Sequence, residues 1–193
     1  MVNKKRGKKK RDRNKKSEIK AIIFDIGGGV TNKRGNIKED YFKAAQIGGP
    51  SGGCLSKQHL DMPVDFDSLT DAGAMVGSGG LVVMNQDTCM VQIAKFFMEF
   101  TQEESCGKCT FCRVGTKRML EILERITGGG GEREDMKKLK DLAPKIENYS
   151  LCGLGQTAPN PILTTLRYFE DEYKEHIDNE NCPAAVCRDL ITF

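Results

Sequence analysis

Three of the eight cysteines fall in one run, ESCGKCTFCRVG, which places Cys106, Cys109 and Cys112 at i, i+3 and i+6. Thiolates this close can wrap three corners of an iron-sulfur cube, and a fourth must arrive from elsewhere in the chain. Cys152 is the candidate, in SLCGLG, a glycine-flanked loop that can bring a sulfur and backbone N–H groups close to a cluster. Gly107, Gly153 and Gly155 suit that approach. Lys108 and Arg113 put positive charge beside a net negative centre, which raises a cluster's reduction potential. Zinc is the rival metal. A structural zinc prefers two C-x2-C pairs, whereas one run here offers three sulfurs and the fourth is single, so the set Cys106, Cys109, Cys112 and Cys152 favours a [4Fe-4S] cluster.

A second set lies near the C-terminus. Cys182 and Cys187 occupy NCPAAVC just after His176, and Cys89 stands far upstream at the start of a helical stretch. Cys89, His176, Cys182 and Cys187 could make a tetrahedral Cys3His zinc site if the C-terminal segment folds back on that helix. A labile disulfide between Cys182 and Cys187, or ligands for a cluster in a partner, are the alternatives. Cys54, in a glycine-rich region, reads as a small buried apolar residue. His59 is the only other histidine, so no Ser-His-Asp or Cys-His arrangement stands out, nor any carboxylate pair for acid-base work. Hydrolase chemistry is disfavoured, and no residue is assigned a catalytic role.

The elements that would position these groups change character along the chain. AIIFDIGGGV predicts a short strand over 21–26, and Leu81–Met84 a second. Between them Gly, Ser and Pro mark tight turns and few helices, and GGPSGG lacks both the Lys-Ser/Thr of a phosphate loop and the spacing of a dinucleotide fingerprint. From Asp87 the period becomes helical. Met90, Ile93, Ala94, Phe97 and Met98 form one stripe, which Asp87 or Thr88 could cap. Met119, Ile122, Leu123 and Ile126 form a second, stopped by four glycines at 128–131. Met136, Leu139, Ala143 and Ile146 make a third; Ile162, Leu166, Phe169 and Tyr173 make a fourth, with Asn160 as cap and Pro161 at the first helical position. Four amphipathic helices with short links predict a bundle.

Composition narrows the setting. The chain has 193 residues and a formal charge of +3, but residues 1–17 carry ten lysines and arginines against Asp12 alone, a surplus of nine that leaves −6 on the rest. Such a run repels itself and predicts a disordered, solvated tail rather than a nucleic-acid arm, since no aromatic residues interleave the charges. No apolar run approaches the roughly 20 residues that span a bilayer, and no apolar secretory signal opens the chain. Those features predict a cytoplasmic protein whose thiols are kept reduced for metal.

GGPSGGCL, GSGGLVVM, FTQEESCGKCTFCRVGTKRMLEILERITGG and SLCGLGQTAPNPILTTLRYF together resemble the C-terminal part of the flavin-bearing, NADH-oxidising subunit of NADH:quinone oxidoreductases and of its relatives in iron-only hydrogenases and NAD-dependent formate dehydrogenases. The resemblance spans 18–193, and CPAAVC leans towards the NAD(P)-reducing hydrogenase and soluble branch, where a zinc near that motif is plausible. It implies that Cys106, Cys109, Cys112 and Cys152 hold the [4Fe-4S] cluster that accepts electrons from reduced FMN. The implied fold class is α+β: a partial ubiquitin-like β-grasp (SLBB-type) domain over 18–86, a four-helix iron-sulfur domain over 87–175, and a C-terminal cysteine tail over 176–193. It implies a thioredoxin-like [2Fe-2S] subunit as partner. Two departures stand out. Phe111 replaces the usual proline of C-T-P-C-R, and the N-terminal FMN and NADH loops of the family are absent, so this chain is expected neither to bind FMN or NAD nor to transfer hydride. A non-redox zinc-binding interaction module and an inactive gene fragment are the alternative functions.

Overall fold

The computed structural model describes residues 18–190. The predicted basic tail over 1–17 lies outside the described residues, as do 191–193.

A small antiparallel sheet comes first. It contains β1 (Phe42–Ile47), β2 (Gly53–Ser56) and β3 (Leu81–Asn85), in the order β2-β1-β3. The predicted strand at Leu81–Met84 is thus present as β3. β1 and β2 are joined by the GGPSGG turn, where Gly48 and Gly49 take φ of 98° and 81°, a region that L side chains rarely enter. A break in the β1–β3 register between Phe42 and Ala44 resets the alternation of side chains. Phe42, Ala45 and Ile47 consequently share one face with Leu55, packing on Ile19, Ile23, Leu60 and Leu69. Ala44, Cys54 and Met84 face the other way, against Met90, Ile93 and Phe169 of the helical body.

The strand expected over Ala21–Ile26 is a π-helical turn instead. Ile19 and Ile23 are the buried residues, four apart, while Ile26 is exposed. That is helical spacing, which a six-residue apolar run does not reveal until its neighbours are known. A short helix, α1 (Phe66–Asp71), capped by Asp65, also interrupts a region expected to be turns.

The helical body consists of α2 (Met90–Glu103), α3 (Thr110–Thr127), α4 (Arg133–Tyr149), the short α5 (Gly153–Thr157), α6 (Asn160–Tyr168) and α7 (Glu170–Asp178). Met98, Met119, Leu123, Ile126, Leu139, Ile146, Ile162 and Tyr173 fill its core. The first three stripes lie on α2, α3 and α4 as their periods predict. The fourth stripe spans two helices, because the backbone of Phe169 leaves helical geometry at φ −135° and ψ 33°. Thr165 Oγ1 and Tyr173 OH bridge that break at 2.8 Å, and Glu170, Asp171 and Glu172 restart the helix with acids in its first turn. The cap of α6 is Pro159 rather than Asn160, whose amide instead donates to Ser51 O across the two halves. α6 also covers β2: Thr164 Oγ1 accepts the Cys54 backbone N–H at 2.9 Å, so an edge strand's donor is satisfied by a side chain.

Candidate metal centres

Cys106, Cys109 and Cys112 lie at the link between α2 and α3. Cys106 is exposed in the link, Cys109 is the N-cap of α3 and Cys112 is buried in its first turn. Gly107 turns that link at φ 71°, and Arg113 Nη1 donates to its carbonyl at 3.1 Å. Cys152 is the N-cap of α5. The fold brings it to the same place, since Gly155 packs so closely on Cys112 that an added Cβ would stand 3.1 Å from the Cys112 Cβ. The structure therefore gathers the four predicted cysteines at one end of α3.

The donors around them suit an anionic sulfur centre. The backbone N–H groups of Leu151 and Cys112 face the Cys109 sulfur and lower its pKa. Burial raises that of Cys112, and the nearby thiols of Cys109, Cys152 and Cys106 push it further, although Ser105 opposes the rise. Ser105 Oγ lies 3.3 Å from Cys112 Sγ. Ser150 Oγ is buried with no hydrogen-bond partner, yet it lies near enough to Cys109 to add to the lowering. A buried orphan hydroxyl is costly by itself, and sulfur acceptors beside it would satisfy it. These groups fit an iron-sulfur cluster. Beside it lies an apolar patch, with Phe111 stacked on Tyr149 at 4.8 Å and Leu151 80% exposed.

The second set converges in the interior. Cys89, His176, Cys182 and Cys187 are all buried, and their ligand atoms lie within 4.8 Å of one another. Cys89 Sγ stands 3.8 Å from Cys187 Sγ, and each is 3.4 Å from His176 Nε2. Tetrahedral zinc with Zn–S near 2.3 Å and Zn–N near 2.0 Å separates its ligands by about 3.8 Å for two sulfurs and about 3.5 Å for sulfur and nitrogen. The three distances match one small ion. Cys89 is the N-cap of α2, where Asp87 or Thr88 was expected; its sulfur accepts the Gln92 N–H at 3.4 Å, and Val186 N–H reaches Cys182 Sγ at 3.5 Å. His176 Nδ1 donates to the Glu172 carbonyl at 2.6 Å, which leaves Nε2 free to ligate.

A hydrogen bond from Cys187 pushes the Cys89 thiol down, with His176 adding to the effect, while Cys89 and burial raise Cys187. Burial alone would lower His176, but its contact with Cys89 raises it to about 9. Cys54 is apart from both sets and inert: burial pushes its thiol up to about 12. His59 stacks edge-on against Tyr168 at 4.7 Å and touches Ser56, a packing role. Sequence reasoning did not single out Ser105, Ser150 or Glu172. The positions of the serines beside ligands, and of Glu172 one turn before His176, were the available signals.

Against known proteins, residues 92–176 match the family described as NADH-ubiquinone oxidoreductase-F iron-sulfur binding region. That segment belongs to this family. The description names an iron-sulfur binding region, and the cysteines gathered at the start of α3 fit a [4Fe-4S] cluster. The NADP-reducing hydrogenase subunit HndC of Solidesulfovibrio fructosivorans is 51% identical over 175 residues, 91% of this chain and 34% of its own length. The F subunit of the NADH-quinone oxidoreductase of Streptomyces coelicolor is 41% identical over 136 residues, 70% of this chain and 30% of its own length. The chain thus spans about a third of the curated relatives it matches, in their C-terminal part. Among solved structures, the crystal structure of an NAD+-reducing [NiFe]-hydrogenase in the H2-reduced state superposes with a TM-score of 0.69 at 26% identity, over 84% of this chain and 26% of that one. Among the described residues no helix is long and apolar enough to cross a membrane.

Proposed function

We propose that Cys106, Cys109, Cys112 and Cys152 hold the [4Fe-4S] cluster of this iron-sulfur module, and that the module relays electrons between FMN and the next iron-sulfur centre of an NAD(P)H dehydrogenase or hydrogenase-type complex. The observation that carries the reading is the meeting of the two cysteine-bearing segments at the N-termini of α3 and α5, with N–H and hydroxyl groups aimed at the sulfurs. A cluster held there supplies one-electron transfer and requires no proton donor from the chain. The residues have four tasks. Cys112 anchors the centre in the core, Gly155 permits the close approach, Ser105 and Ser150 offer donors, and the apolar rim of Phe111, Tyr149 and Leu151 keeps water away when a partner docks.

Cys89, His176, Cys182 and Cys187 hold a structural zinc in this account, because all four positions of a tetrahedron are filled by protein and none is left open for substrate. Residues 18–86 form a partial SLBB-type β-grasp domain, 87–175 the cluster domain and 176–193 the zinc-bound tail. The parent complex is cytoplasmic, holds FMN and NAD and offers a thioredoxin-like [2Fe-2S] subunit as partner.

Anaerobic potentiometric titration followed by low-temperature EPR tests the reading. A reversible one-electron signal that disappears in Cys109→Ser and Cys152→Ser supports it. An unchanged signal in either variant removes that residue from the ligand set.

A further inference from the structure

Glu172 lies one helical turn before His176, and separate parts of the fold occupy three of its acceptor atoms. Its backbone carbonyl takes the His176 Nδ1–H at 2.6 Å. Its carboxylate Oε2 takes the backbone N–H of Met90, the residue after Cys89, at 3.0 Å. Its Oε1 pairs with Lys43 Nζ at 2.7 Å, with the two side chains only 13% and 11% exposed. Lys43, on β1, donates in turn to the carbonyl of Thr88, the residue before Cys89. One ion pair therefore grips both neighbours of Cys89 while the main chain of the same glutamate orients His176.

Charge explains why the two residues occur together. A divalent zinc with three thiolates and a neutral imidazole carries a net charge of −1, so an unpaired carboxylate alongside would be repelled, and Lys43 offsets it.

We propose that Glu172 and Lys43 are the positioning pair of the Cys3His centre, fixing Cys89 and His176 relative to each other and tying the centre to strand β1. Neither side chain touches the ion. The inference rests on the zinc reading above and goes beyond it: occupancy of the centre and the seating of the sheet on the helical body are linked through this pair.

The test is zinc affinity of the cluster-loaded chain, measured by competition with a chromophoric chelator. Glu172→Ala is expected to weaken zinc binding about 10- to 100-fold, the usual effect of losing a residue that orients a ligand. Glu172→Gln, which still accepts the Met90 N–H, falls between that and the unaltered chain. The cluster absorption of both variants stays unchanged, and the visible d–d bands of cobalt-substituted Glu172→Ala shift as its tetrahedron distorts. Asp171→Ala, next door with its carboxylate facing solvent, binds zinc as the unaltered chain does. If Glu172→Ala does not fold, Glu172→Gln and Lys43→Met carry the comparison. Unchanged affinity in the Glu172 and Lys43 variants, in a chain that does bind zinc, overturns the positioning role alone. An unaltered chain that takes up no zinc overturns the Cys3His reading and this inference with it.

Discussion

Gly155 and Gly153 sit two residues apart beside Cys152, and the structure predicts opposite outcomes for the same substitution. An added Cβ at Gly155 would stand 2.5 Å from both Cβ and Oγ of Ser150 and 3.1 Å from the Cβ of Cys112, while at Gly153 nothing lies within 4 Å. Carbon contacts relax near 3.5–4.0 Å, so Gly155→Ala must push Ser150 back by about 1 Å. Ser150 and Cys112 are buried, and overpacking of this kind costs about 2 kcal/mol. For a domain of this size that lowers Tm by roughly 4–8 °C. The chemical consequence is sharper, because the displaced groups are a proposed ligand and a proposed donor. Iron per chain should fall below four and the broad visible absorption should weaken, whereas Gly153→Ala should match the unaltered chain in both. Anaerobic thermal unfolding, together with iron and sulfide analysis of the two variants side by side, is the assay. A Gly155→Ala protein as stable and as iron-rich as Gly153→Ala would refute the packing argument and the place it gives Cys112.

Other expectations follow from the same structure. Asp135 is fully buried where α4 begins, accepts from Arg125 and from the Glu132 N–H, and pairs with Lys138, so Asp135→Ala should cost about 2 kcal/mol in urea unfolding, a figure kept low because Arg125 and Lys138 can turn to water. Burial works against its charge, yet Arg125 and the Glu132 N–H hold its carboxyl below the ordinary 3.8; its stabilisation is therefore present above pH 3.8 and lost as pH falls through the lower folded value, and Asp135→Ala should flatten that acid limb. Phe111→Pro falls in the first turn of α3, where no helical N–H is lost, so the cluster spectrum should persist while the ring pair with Tyr149 is forfeited at about 1 kcal/mol. Removal of zinc by a chelator should expose the segment carrying Cys182 and Cys187 to protease, read as cleavage after 176 by mass spectrometry, with the cluster absorption retained; resistance equal to the zinc-loaded chain would argue against a metal staple.

The convergence of Cys106, Cys109 and Cys112 with Cys152, the proposed cluster ligands, was legible because the run puts three thiols in seven residues and the three stripes on α2, α3 and α4 fix where that run must sit. The meeting of Cys89 with the C-terminal set could be framed only as a condition, since it depends on a contact across 87 residues between the start of α2 and α7. Local patterns misled where tertiary packing decided. Ala21–Ile26 has strand-like residues but coils because Ile19 and Ile23 are buried together, and the stripe from Ile162 to Tyr173 conceals the break at Phe169 that turns α7. Glu172 looked like one acid among several in EDEYKEH. Its role emerges only when Met90 of α2 and Lys43 of β1 meet it beside His176, one turn on along its own helix.

Two metal centres of different kinds in one chain are tested by measuring iron, sulfide and zinc on the anaerobically prepared protein and its Cys109→Ser variant. About four irons, four sulfides and one zinc per chain are expected, with the iron and sulfide lost and the zinc kept in Cys109→Ser. Zinc without iron after anaerobic reconstitution, or a Cys109→Ser chain that keeps its full cluster, would contradict that expectation.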